Sequence, residues 1–176
     1  PTTVPVVQVI TVAILPLVFL AACDNEKDID PPAELVEFKD RMQVKELWST
    51  GLGGDMENLR LGLRPATDDT RLYAVSHDGQ VRAFNPANGR EQWRVRTKLP
   101  LSGGPGIGGG HVVAGSSEGD VIALSAENGA KQWQVRVGGE VLAPPAVGDS
   151  IVVVRTVDGR LHGLNAADGS EKWVNE

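Results

Sequence analysis

Cysteine is nearly missing from this sequence: Cys23 is the single one in 176 residues. An internal disulfide is therefore excluded, and the thiol needs an explanation of its own. Basic runs are missing too, and 17 Lys and Arg stand against 23 Asp and Glu, for a net charge of -6. Such a chain has nothing with which to replace phosphate counterions, so no nucleic-acid partner is expected. Long apolar runs are scarce. The best of them, residues 9–22, is too short and too broken by Pro16 for a comfortable bilayer span. Aromatic residues make up only 5%, and 4 of them are tryptophan. Glycine is the plentiful residue, at 21, and marks a turn-rich, mildly acidic body.

What the glycines punctuate is a repeat. Residues 112–133, VVAGSSEGDVIALSAENGAKQW, recur forty places earlier at 72–93 and forty places later at 152–173, without a gap. Gly79, Gly119 and Gly159 align, as do Gly89, Gly129 and Gly169, and Pro65, Pro105 and Pro145 upstream. Each copy holds short apolar runs separated by turn signals, a strand pattern and not a helical one. In the middle copy residues 112–114 and 121–124 read as strands joined through Ser117, Glu118, Gly119 and Asp120. Its glycine permits the positive φ of a tight hairpin turn. A second turn, Ala126 to Gly129, leads to a third strand through Trp133, and a further strand around residues 145–147 opens the next copy. Four short antiparallel strands in forty residues make one propeller blade.

The expected fold class is thus all-β, a β-propeller, with blades near residues 61–95, 102–135 and 142–175 inside a domain of 44–176. A blade must stack on its neighbours, which explains why Val121, Ile122, Ala123 and Leu124 are apolar in succession. The four tryptophans, Trp48, Trp93, Trp133 and Trp173, fall in equivalent places. Each can bury on the order of 200 Å² and carries an indole N–H that needs an acceptor. They read as docks between adjacent blades and not as ligand platforms. Trp48 lies in residues 44–50, which look like the last strand of a blade whose other strands do not precede it. Three blades and an orphan strand cannot close a ring, so further repeats are expected, with residues 44–50 closing the last blade.

Residues 1–22 carry no charged side chain and read as a secretory signal core whose start is missing. Leu20, Ala21, Ala22 and Cys23 resemble the bacterial lipobox, in which small residues fit the signal peptidase and the thiol receives a diacylglycerol. Acyl chains add roughly 0.8 kcal/mol per buried methylene, so a triacylated Cys23 would hold the body firmly at a membrane. Residues 23–43, rich in charge and containing Pro31 and Pro32, read as a tether. Its Leu35, Val36 and Phe38 either dock on the domain or stay solvated.

The pattern Ala-x-Asn/Asp-Gly-x-x-x-Trp, clearest at residues 126–133, resembles the tryptophan-docking motif of pyrroloquinoline-quinone-type propeller repeats. With the lipobox, residues 31–38, Leu47-Trp48-Ser49 and Leu61-Gly62-Leu63-Arg64-Pro65-Ala66, the chain is similar throughout to the outer-membrane protein assembly factor family, BamB, of Gram-negative bacteria. The resemblance implies an eight-bladed propeller lipoprotein, anchored through Cys23 at the periplasmic face of the outer membrane, of which three blades and the orphan strand lie here. It further implies a non-enzymatic scaffold without cofactor or metal. Its partners would be the POTRA domains of BamA, other barrel-assembly subunits and unfolded outer-membrane proteins, the last held by strand-edge pairing. Asp24 departs from this picture, because aspartate after the lipidated cysteine retains enteric lipoproteins in the inner membrane.

Two rivals share the repeat. A quinoprotein dehydrogenase resembles it in fold, but such enzymes use an adjacent cysteine pair, and Cys23 is already taken by the lipobox. Asp78, Glu118, Asp120, Asp158 and Asp168 sit at turn positions where acidic residues are ordinary. The other rival is a propeller lipoprotein with an unrelated periplasmic partner. His77, His111 and His162 fall in different copies without metal-ligand spacing. The Gly-rich run at 102–110 lacks the lysine and helix of a phosphate loop. It reads as a connector and first strand whose flexibility is available to a partner.

Overall fold

The structure, a computed structural model, describes residues 33–36, 42–53 and 63–176. Cys23, Asp24, Phe38, Leu61 and Gly62 lie outside the described residues. By compactness the chain divides into Pro1–Gln43 and Val44–Glu176. In the first unit the described residues form no regular secondary structure, and Leu35 and Val36 are exposed.

The second unit is built of three four-stranded sheets, each with its strands in sequence order and antiparallel. The first sheet comprises β1 (Ala66–Thr67), β2 (Leu72–Val75), β3 (Gln80–Phe84) and β4 (Glu91–Arg96). The second comprises β5 (Leu101–Gly108), β6 (His111–Ser116), β7 (Asp120–Ser125) and β8 (Lys131–Arg136). The third comprises β9 (Ala146–Val147), β10 (Ile151–Arg155), β11 (Leu161–Asn165) and β12 (Glu171–Asn175). No helix occurs among the described residues.

The turns follow from the glycines. Gly79, Gly119 and Gly159 each donate a backbone N–H to the residue three earlier, Ser76, Ser116 or Thr156, with φ of 87°, 84° and 94°. An L side chain is strained at such φ, so glycine recurs there. One irregularity also repeats. The register slips between Ala83 and Phe84, Ala123 and Leu124, and Gly163 and Leu164, so Gln92, Gln132 and Lys172 each bulge from the outer strand. The bulge lies beside the tryptophan, where a local twist re-aims its side chain.

Burial explains the continuous apolar runs. Val112, Ala114, Ile122 and Leu124, with Leu101 of β5, pack against Tyr73, Val75, Val81 and Ala83 of the first sheet. Their alternate neighbours, Val113, Val121 and Ala123, pack with Val141, Val152, Val154 and Leu164 on the other side. Successive side chains of a strand point to opposite faces, and the second sheet is covered on both. The Gly-rich run is not a flexible reserve for a partner. Residues 101–106 are buried in β5, and a Cβ added at Gly103, Gly106 or Gly108 would meet the carbonyls of Val141, Pro145 or Val147. Glycine there lets one backbone lie directly on the next, which is the opposite of freedom.

Candidate functional site

The side chains singled out from sequence come together at the seams between sheets. The indole N–H of Trp93 donates to the carbonyl of Ala126 at 3.1 Å, and that of Trp133 donates to Ala166 at 2.7 Å. Trp48 donates to Pro86 at 2.8 Å. The acceptors Pro86, Ala126 and Ala166 are themselves forty residues apart, each in the turn before the outer strand of the sheet that receives the indole. Beneath each ring lies a glycine of the same turn. A Cβ added at Gly89, Gly129 or Gly169 would stand 2.5, 2.7 or 2.6 Å from the ring of Trp48, Trp93 or Trp133. The turn thus supplies a flat seat and one acceptor. Trp173 has no such seat among the described residues; it leans over Gly163 of its own sheet and is 40% exposed, against 6% for Trp133.

Residues 44–50, read as a closing strand, pair with no strand among the described residues, nor do residues 51–53 after them. Two anchors hold them on the first sheet. One is Trp48, whose ring also lies 6.2 Å from that of Phe84. The other is Arg82, which donates to the Gly51 carbonyl at 3.1 Å and whose guanidinium also meets Gln80. His162 takes the place of Arg82 in the third sheet, with Nδ1 3.1 Å from Glu171 Oε2. His77 meets the Leu101 carbonyl at 3.0 Å. Among the described residues no three His, Cys, Asp or Glu side chains gather as a metal site.

Sequence reasoning missed a polar latch in the first seam. Tyr73 stands where the other copies have Val113 and Val153. Its hydroxyl donates to Asp68 Oδ2 at 2.7 Å and lies 3.2 Å from the same Ala126 carbonyl that Trp93 uses. Asp68 also accepts from the Thr70 hydroxyl and from the Thr70 and Arg71 amides. Burial pushes the Asp68 carboxyl up, but these donors outweigh it and bring the pKa down to about 2. Burial and the adjacent carboxylate push the Tyr73 phenol up to about 12. The one available signal was a lone tyrosine in an otherwise aliphatic register.

Two surface cavities were candidates for a ligand site. One, about 450 Å³, is lined by Asn85, Asn88, Arg90, Glu91 and Gln92. Its asparagines already accept the amides of Ala87 and Arg90, and its glutamate holds Arg94 at 2.9 Å, so it is the solvent face of a turn. The other, about 220 Å³, lies beside Leu142, Arg155 and Val157 on the third sheet. Neither pairs a nucleophile with a base. The outer strands offer edges instead. Along β4 and β8, Arg94 pairs with Glu91, Arg96 with Asp78, and Arg136 donates to the Glu118 carbonyl. Charged edges of this kind resist indiscriminate strand pairing.

Stacked four-stranded antiparallel sheets at a forty-residue interval, the first and second each sending an indole onto the next, define a β-propeller of the pyrroloquinoline-quinone repeat type. A family model described as "Outer membrane protein assembly factor BamB" matches residues 34–100 and 77–176. The chain belongs to that family. It is 41% identical over 104 residues to the Outer membrane protein assembly factor BamB of Pseudomonas aeruginosa, an alignment covering 57% of this chain and 27% of that protein. The crystal structure of BamB from Moraxella catarrhalis superposes with a TM-score of 0.61 at 29% identity, covering 66% of this chain and 35% of that one. The quinohemoprotein alcohol dehydrogenase of Comamonas testosteroni superposes with a TM-score of 0.55 at 21% identity, covering 65% and 21% of the two chains. That last likeness is one of fold alone. The chain spans about a quarter to a third of the length of these BamB relatives.

Proposed function

We propose that the chain is the N-terminal part of a non-enzymatic scaffold lipoprotein of the β-barrel assembly machinery. The observation that carries this reading is the family match over residues 34–100 and 77–176. The seams support it physically. Trp93 and Trp133 are spent on joining sheets and Trp48 on fastening its segment to the first, and the buried glycines of β5 stiffen the stack, so the edges and rims remain as the working surface. On this reading one rim holds the POTRA domains of BamA, with other assembly subunits beside it, and an exposed strand or loop presents unfolded barrel strands. A lipid on Cys23 tethers the body to the periplasmic face of the outer membrane; Asp24 makes the inner membrane the alternative destination.

The test is to tag the chromosomal copy, solubilise the envelope gently and identify what co-purifies. Recovery of BamA supports the scaffold. A bound quinone, or an unrelated periplasmic protein without BamA, would overturn it. In the same strain Cys23→Ala should move the protein from the membrane to the periplasmic fraction. Retention at the membrane without acylation would defeat the lipoprotein reading.

A further inference from the structure

We draw no further inference here: the strongest candidate, the shallow cavity between the end of β10 and the connector that precedes β9, lined by Leu142, Ala143, Arg155, Thr156 and Val157, is an unpartnered and partly apolar surface, and nothing in the structure shows what covers it.

Discussion

Two tryptophans at equivalent positions of the repeat differ in what lies beneath them in this 176-residue chain, and that difference sets their energetic weight. Trp133 is 6% exposed, bonded to Ala166 and seated over Gly169, whereas Trp173 rests only on its own sheet. Trp133→Ala should therefore cost roughly 3–5 kcal/mol, as large core truncations do, and Trp173→Ala about 1 kcal/mol. Urea midpoints of the two variants check this; equal losses would mean that the seam adds nothing to the contacts within a sheet. The Asp68–Tyr73 pair predicts a dependence on pH. The folded pKa of Asp68, about 2, lies below the unfolded value of about 3.9. Its contribution is complete above about pH 4 and is lost as pH falls through 2. Tyr73 is shifted the other way, to about 12 from about 10, so its contribution is complete below pH 10 and is lost as pH rises through 12. In thermal midpoints measured against pH, Asp68→Asn should flatten the acid limb and Tyr73→Phe the alkaline one. An unchanged profile in both variants would show that the latch does not form.

At the scale of the element, β5 is the unusual strand. Its eight residues exceed the two-residue inner strands β1 and β9, and its register slips twice against β6. It is long because glycine lets it lie on the backbone of residues 141–147 while still pairing with β6. A methyl at Gly106 would fall on the Pro145 carbonyl, a backbone atom that cannot rotate away. Gly106→Ala should thus destabilise by about 1–3 kcal/mol, the usual range for overpacking. Gly148→Ala is the matched control, since its new methyl would meet only Ile151 atoms at 3.6 Å or beyond. That change should stay within about 0.5 kcal/mol in chemical denaturation. A Gly106→Ala variant as stable as the control would remove the close approach as the reason for the glycines.

Over the whole second unit, packing is distributed unevenly among the sheets. The second sheet contributes to both core clusters, the first and third to one each. Every residue of β12 is exposed, whereas β8 keeps Trp133 buried. Local opening follows buried apolar contact, so in the 176-residue chain by itself the third sheet should open first. Amide hydrogen exchange followed by mass spectrometry should show β11 and β12 exchanging well before β6 and β7. Uniform protection across the three sheets would mean that the stack opens only as one body.

Sequence alone determined the parts that are local and repeated. The forty-residue period, the strand runs, the positive-φ turn glycines and the family are all legible because each is written in contiguous residues and then written again. The apolar succession at Val121 to Leu124 announced a sheet covered on both faces, since alternation disappears when neither face meets water. Tertiary structure alone decided which groups meet across a seam. The indole acceptors at Pro86, Ala126 and Ala166, the Arg82 grip on Gly51, the approach of the Tyr73 hydroxyl to Ala126 and the burial of β5 each join atoms that the chain holds apart. A glycine run in a sequence reads equally as slack or as close contact. Only the backbone lying against it, residues 141–147, made it contact.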